Sequence, residues 1–558
     1  MSHAKSAKPA SATQPALDSS EAIQLIDVTQ SSGVTFVHND GSSGQYLLPE
    51  TMGGGLALFD YDGDGLIDIL FTNGCSLESS PLLHPPISEP GSDSLASSAS
   101  SAGLVLYRNL GDWRFVDVTH AAGLHTQSFG LGVTVGDYDN DGFVDIFLSA
   151  FGPNRLFHND GSGSFTEATL GGAGEQRFSA GASFLDVDRD GNLDLFVANY
   201  VRLSPDDLDR QAALGRTIYP SPQDFRPESN QLFKNLGDGQ WHDSSSSSQL
   251  ERFEGTGMGC VTGDFDGDGD VDIYVANDEL PNSLFLNDGQ GVFDEAAIAS
   301  GVALAGMGQA SGSMGADIGD LDLDGRGDFL VTSFESEPVS VYRAKDGQVY
   351  QDVAQPSGAA QATLLPVTWG CALTDFEHDG DVDLFIATGH LDERRPEMYR
   401  PADLVLKNMW RETQQVRFQN VTASVGDVLQ QLYCGRGASV ADLDNDGDQD
   451  VVVLNLRDRP NLLENRSQPA NHHWLQLQLI GRHCNRGAVG TKVRVVTDEI
   501  TMSDEVRNGR GYQSYWGERL HFGLGETSSP LRLEITWADG GEQVVESQAV
   551  DQIVTIVQ

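Results

Sequence analysis

The stretch Asp60-Tyr61-Asp62-Gly63-Asp64-Gly65-Leu66-Ile67-Asp68 sets carboxylates at loop positions 1, 3, 5 and 9, with glycine at position 6. A β-run, Ile69-Leu70-Phe71, follows at once. A tight loop brings alternate side chains to one centre, and a hard cation such as Ca²⁺ takes several oxygens at about 2.3–2.6 Å. Glycine allows the sharp turn. One such loop constrains little. This chain carries seven, and a unit repeated so often restricts the fold to a repeat architecture.

The second loop is Asp137, Asp139, Asp141, Asp145 and the third Asp186, Asp188, Asp190, Asp194. The fourth is Asp264, Asp266, Asp268, Asp272 and the fifth Asp320, Asp322, Asp324, Asp328. The sixth is Asp375, Glu377, Asp379, Asp383 and the seventh Asp442, Asp444, Asp446, Asp450. Five residues before each first carboxylate stands a glycine: Gly55, Gly132, Gly181, Gly259, Gly315, Gly370 and Gly437. A β-run follows every loop, so each loop reads as a hairpin turn. The glycines suit an innermost strand starting where neighbouring backbones crowd around an axis. A third strand, Leu-Phe/Tyr-x-Asn, follows, as in Leu156-Phe157-His158-Asn159, and then a fourth, as in Phe165-Thr166-Glu167-Ala168. Four strands in each of seven units predict an all-β fold, a seven-bladed β-propeller. The last unit lacks its fourth strand after Asn465, and Leu25-Ile26-Asp27-Val28-Thr29 is expected to supply it and close the ring.

Residues 1–22 read as a disordered tail, 23–470 as the propeller and 471–558 as a small all-β domain, because the repeat stops there and short alternating strands take over. Insertions at 76–103, 202–228 and 389–401 interrupt the repeats. The first is Ser/Pro-rich and reads as a floppy loop.

The chain has 34 Lys+Arg against 82 Asp+Glu, a formal charge of -48. That excludes nucleic acid and anionic membrane surfaces as partners, since both need basic patches. No apolar run reaches the roughly 18 residues of a membrane span, and no signal peptide is visible at the start. Five cysteines do not make a disulfide framework. Cys260 and Cys371 occupy a slot that elsewhere holds Leu56, Val133, Ala182, Ala316 and Ala438, so they read as small buried hydrophobes.

The repeats resemble FG-GAP/VCBS repeats, as in integrin α-chain propellers. The tail, with Asn485-Arg486-Gly487-Ala488-Val489-Gly490, Gly509-Arg510-Gly511-Tyr512-Gln513-Ser514 and Leu520-His521-Phe522-Gly523-Leu524-Gly525, resembles the ASPIC/UnbV domain. In this order the two are similar to the cartilage acidic protein family and its bacterial relatives. The resemblance implies Ca²⁺ binding and a secreted or cell-surface interaction role, with no defined catalytic activity. The chain departs at Trp537-Ala538-Asp539-Gly540, where relatives tend to show Trp-Pro-x-Gly.

The 28 loop carboxylates are therefore the expected Ca²⁺ ligands, up to seven structural sites, with position 7 adding a backbone carbonyl. At the fifth loop Arg326 and Gly327 sit inside the sequence. Extracellular sites of this kind have dissociation constants of about 10⁻⁴–10⁻³ M, so they fill where Ca²⁺ is abundant, outside the cytoplasm or in the envelope. At the other end of the axis, Met258, Met314, Trp369 and Arg436, each just before a repeated glycine, suggest with Glu50 a ligand funnel, with strand-start packing around a plugged channel as the plain alternative. His378, inside the sixth loop, and His390 have no nucleophile or His/Cys cluster beside them. The leading expectation is a monomeric, non-catalytic module that binds protein or glycan. An enzyme, with its site at the channel mouth or in the 202–228 insertion, and a structural envelope component are the alternatives.

Overall fold

A computed structural model describes residues 23–77, 103–171, 177–237, 239–345, 348–467, 469, 471–517, 519–529 and 531–558. The tail 1–22 and most of the 76–103 insertion lie outside the described residues. The described chain is all-β apart from short helices, and its strands fall into antiparallel arrays of four with the order innermost, second, third, fourth.

The first array is Leu56–Phe59, Asp68–Thr72, Leu104–Asn109 and Phe115–Asp117. The same order recurs from Phe129–Gly136, Arg177–Leu185, Gly257–Gly263, Ala316–Gly319, Thr368–Thr374 and Gly435–Ala441. Every second strand begins at the position-9 carboxylate of its loop, so the loop's last carboxylate is also the strand's first residue. The last array is completed by Leu25–Asp27, which pairs antiparallel with Asn461–Asn465 in the register Leu25↔Asn465 and Asp27↔Leu463. Arg177 and Phe178 also pair with Gly152 and Phe151, which joins the second and third arrays into one curved sheet.

Close approach around the axis explains the repeated glycines. A methyl added at Gly259 would lie 2.5 Å from the Met314 carbonyl oxygen, at Gly370 2.6 Å from that of Arg436, and at Gly181 3.0 Å from that of Met258. Gly55, Gly132, Gly315 and Gly437 face the carbonyls of Leu131, Ala180, Trp369 and Gly54 in the same way. Each innermost strand thus lies against the next around a circle, and the last meets the first through Gly437 N–H donating to Gly54 O at 2.9 Å.

Residues 473–557 form two sheets. His473–Ile480 lies between Leu520–Gly525, antiparallel, and Gln552–Val557, parallel. The other sheet runs Thr501–Glu505, Lys492–Val496, Leu531–Thr536, Glu542–Gln548. Alternating Val493, Val495, Leu531, Leu533 and Ile535 are buried against Leu475, Leu477 and Phe522.

Between the two sheets' strands, residues 507–516 leave the domain and enter the ring along its axis. Val133 N–H donates to Gln513 O at 3.1 Å, Leu58 N–H to Tyr515 O at 3.1 Å, and Ala316 exchanges backbone hydrogen bonds with Gly511. The glycines of Gly509-Arg510-Gly511 are needed here, since a Cβ on Gly511 would strike the Trp516 ring at 2.7 Å. Asp317, fully buried on an innermost strand, holds Arg510 through Nε at 2.8 Å and Nη2 at 3.2 Å.

Candidate metal loops and the filled axis

The seven loops share one hydrogen-bond plan. The position-1 carboxylate accepts the position-6 glycine N–H, as Asp60 from Gly65 at 2.8 Å and Asp375 from Gly380 at 2.7 Å. The position-5 carboxylate accepts the position-7 N–H, as Asp64 from Leu66 at 3.0 Å. The position-9 carboxylate is a clip: Asp68 accepts Tyr61 N–H at 3.0 Å on one oxygen and Asn109 N–H at 2.7 Å on the other. Asp145, Asp194, Asp272, Asp328, Asp383 and Asp450 repeat it. Position 4 adopts left-handed backbone along with position 6, glycine in two loops but Asn140, Arg189, Leu323, His378 and Asn445 in the others.

This wiring turns the free oxygens toward one centre. One oxygen each of Asp60, Asp62 and Asp68 lies within 4.8 Å of the others, and the same holds for Asp186, Asp188 and Asp194 and for Asp264, Asp266 and Asp272. One buried oxygen each of Asp62, Asp188 and Asp322 has no hydrogen-bond donor. All-oxygen, anionic and converging donors fit a hard divalent cation. Burial pushes Asp68 up to about 8 and Asp145 to about 9, against the pull of their backbone donors. Burial likewise raises Asp137 to about 6 and Asp320 to about 7, with neighbouring loop carboxylates adding repulsion. At neutral pH Asp68 and Asp145 are therefore held as anions only if a positive charge joins them.

Two recurrent partners were not assigned roles from the sequence. The third-strand asparagine reaches back to the previous array: Asn159 Nδ2 donates to Tyr61 O at 2.9 Å, Asn235 to Tyr138 O at 2.7 Å, and Asn109 closes the circle on Leu443 O at 2.8 Å. In the fifth array Ala344 replaces asparagine, and the Tyr350 hydroxyl donates to the waiting Phe265 carbonyl at 3.2 Å. The residue before that asparagine is often cationic and lies on the loop carboxylates. Both signals were visible as a repeated pattern, but their partners lie in other repeats.

The C-terminal domain sits on the loop-bearing end. Lys492 pairs with Asp264, Gln476 Nε2 donates to Asp442 at 2.9 Å, Arg486 N–H donates to Asn140 at 2.7 Å, and Arg519 Nη2 donates to Gly65 O at 3.0 Å. A cleft of about 840 Å³ stays open between the fourth and fifth loops and the second sheet, lined by Asp264, Asp320, Arg326, Lys345, Lys492 and Arg507 among others.

At the opposite end the expected funnel is corrected. Glu50, Met258, Met314, Trp369 and Arg436 do gather near the axis, but all five are buried. Tyr512 fills the space they surround: its ring meets Trp369 edge-on at 5.2 Å, and its hydroxyl donates to Met52 O at 2.9 Å. Arg436 stacks on Trp369 at 3.9 Å and donates to Gly435 O at 2.8 Å. Glu50 accepts the Ser43 hydroxyl at 2.6 Å. The 202–228 insertion adds a cover, the helix Pro205–Ala213, whose Gln211 accepts Leu48 N–H at 3.2 Å and whose Leu208 joins the same apolar cluster. The sequence could not show this because the plug comes from a distant segment. His378 lies against Asp448 at 3.4 Å and the His521 ring at 5.1 Å; His390 pairs with Glu335 at 3.1 Å. All five cysteines are buried and free.

Residues 481–558 match the family model for ASPIC and UnbV, and residues 93–148, 137–197, 224–275 and 264–331 match that for the FG-GAP-like repeat. The chain belongs to the FG-GAP-repeat proteins that end in an ASPIC/UnbV domain. The FG-GAP matches contain the second to fifth loops; the first, sixth and seventh lie outside them with the same local geometry. Cartilage acidic protein 1 of Homo sapiens is 25% identical over 306 residues, 53% of this chain and 43% of that protein. The Mus musculus protein of the same name is 24% identical over 295 residues, 51% of this chain and 42% of its own length. The matched part thus spans less than half of these relatives. Among solved structures, an Agrocybe aegerita lectin that recognises non-reducing terminal N-acetylglucosamine is 17% identical, with TM-score 0.39 over 68% of this chain and 82% of its own. A rhamnogalacturonan lyase of Bacillus licheniformis is 14% identical, with TM-score 0.35 over 74% and 71%. Among the described residues no helix is long and apolar enough to cross a membrane.

Proposed function

We propose that the chain is a seven-bladed β-propeller stabilised by Ca²⁺ and that it serves as a non-catalytic protein- or glycan-binding module outside the cytoplasm. The observation that carries this reading is the shared loop plan: seven acidic turns orient their oxygens identically and stitch each array to its neighbour. A cation there neutralises carboxylates that burial would otherwise protonate, and so adds folding stability by linkage. Weak sites of this type fill only at the Ca²⁺ levels found outside cells.

The enzyme alternative needs an accessible site at the axis or in the 202–228 insertion. Tyr512 occupies the first and the helix Pro205–Ala213 packs as a cover over it. Those contacts favour binding over catalysis, on the outer surfaces and in the interdomain cleft. The test is retention of immobilised protein ligands and glycans on the whole chain in Ca²⁺ and in EDTA. Retention lost on chelation is expected. Turnover of a retained glycan overturns the non-catalytic reading, and retention and unfolding indifferent to EDTA overturn the Ca²⁺ reading.

A further inference from the structure

The loop plan leaves two side-chain positions without a task. Position 4 supplies no carboxylate, and position 7 is expected to supply only its backbone carbonyl. In the sixth loop position 4 is His378, and in the seventh position 7 is Asp448. The structure brings the two together, with His378 Nε2 3.4 Å from Asp448 Oδ1. His378 is 4% exposed, and its Nε2 has no hydrogen-bond partner. The turn itself does not call for histidine. Asn140 and Asn445 take the same left-handed backbone at position 4 of the second and seventh loops.

The approach to the C-terminal domain adds two more imidazoles. His472 stands just before the strand His473–Ile480. Its Nδ1 lies 2.8 Å from the carbonyl oxygen of Glu377, the residue next to His378, and the rings of His378 and His472 are close enough to act on each other electrostatically. A carbonyl oxygen only accepts, so His472 Nδ1 donates, and the neutral ring then carries its lone pair on Nε2. His473 is tied in the same way, its Nδ1 2.7 Å from Asp551 Oδ2. Metal-binding histidines are fixed like this, with the other ring nitrogen held by a carbonyl or a carboxylate. His378, Asp448, His472, His473 and Asp551 line one cavity of about 740 Å³, where the C-terminal domain meets the sixth and seventh loops. The His521 ring lies 5.1 Å from that of His378 but does not line it.

We propose that this junction cavity binds one divalent transition ion of the Zn²⁺ class through His378, His472 and Asp448. Imidazole nitrogen with one carboxylate suits such an ion, whereas Ca²⁺ takes oxygen alone, so the site differs in chemistry from the seven loops. Three protein donors leave a position open to the cavity, as in exchangeable sites and unlike closed structural ones. The donors come from two loops of the ring and from the start of the C-terminal domain, so an ion there ties the domain to the loop-bearing rim. Sequence spacing hides the set, because His378 and His472 belong to different domains.

The test is calorimetric titration of the full chain with Zn²⁺ in saturating Ca²⁺, which competes for the all-oxygen loops. X-ray absorption at the zinc edge then detects imidazole rings around the bound ion. One equivalent with imidazole in its shell is expected. His378→Asn installs a residue that the same turn already accepts elsewhere, and it should weaken binding at least about tenfold. His472→Ala, at a half-buried position outside any strand, should do the same. A urea midpoint equal to the parent's is expected of both variants without Zn²⁺, which separates a lost ligand from a lost fold. No Zn²⁺ bound in excess Ca²⁺, a shell without imidazole, or binding unchanged by both substitutions overturns the proposal.

Discussion

At one end of the ring stand the loop carboxylates, which burial and mutual repulsion make costly to keep ionised. At the other, Tyr512, Trp369, Met258 and Met314 form an apolar plug with a single buried guanidinium stacked on it. Both ends are stitched around the circle, one by asparagine to carbonyl, the other by glycine to carbonyl. The charged end depends on its solvent through pH and, under the proposed function, through metal. The apolar end depends only on shape. The same strands therefore end in a tunable rim and a fixed one.

The largest expected effect lies at the fixed rim. Gly370→Val would drive side-chain carbon into the Arg436 carbonyl and should cost more than about 4 kcal/mol, seen as loss of soluble folded protein. A urea midpoint near that of the parent would show that the strands can part there. Next, Tyr512→Ala should cost about 3–5 kcal/mol by opening a cavity, with a red shift of tryptophan emission as Trp369 meets water. If emission and the urea midpoint stay put, the axis is not filled as described.

The tunable rim answers to its surroundings. Raising Ca²⁺ to ten times a site's dissociation constant should add about 1.4 kcal/mol per site over EDTA. In EDTA, the folded pKa values of Asp68 and Asp145, about 8 and about 9, lie above those of the unfolded chain. Their contribution is complete below the unfolded value and is lost as pH rises through the folded one. Urea midpoints should therefore fall from pH 5 to pH 9 in EDTA and fall less in Ca²⁺. A midpoint that rises with pH in EDTA contradicts the burial described here.

The smallest effect separates the two stitches. Asn159→Ala should cost about 1–2 kcal/mol by leaving the Tyr61 carbonyl without its donor. Ala344→Asn should gain almost nothing, because Tyr350 already serves Phe265. Equal effects at the two positions would mean that the asparagine is not a stitch.

The arrays were legible because each strand is announced by its loop, and the pairing of Leu25–Asp27 with Asn461–Asn465 follows from the strand left over by the count. In the C-terminal sheets, Thr501–Glu505 and Glu542–Gln548 are not legible as strands in the sequence. Their many polar and charged side chains hide the period-two pattern, and both are outer strands of their sheet. The convergence of the loop carboxylates was readable from spacing alone. The plug was not: Gly509-Arg510-Gly511-Tyr512 is recognisable as a motif, yet its partners Asp317, Met52 and Trp369 are set by the path of the chain in space. Asp317 itself looks like an ordinary strand residue until Arg510 is brought to it.

The N-terminal strand has a consequence for synthesis. Leu25–Asp27 is made early, whereas its partner Asn461–Asn465 emerges only after every other array. At about 5–20 residues per second the ribosome needs roughly 20–90 s to connect them. Throughout that interval one strand waits without a mate, and the axis waits longer still for residues 507–516. A nascent chain of this design is a horseshoe with a loose end, and its vulnerability to proteases and to other nascent chains is greatest just before its last array leaves the exit tunnel.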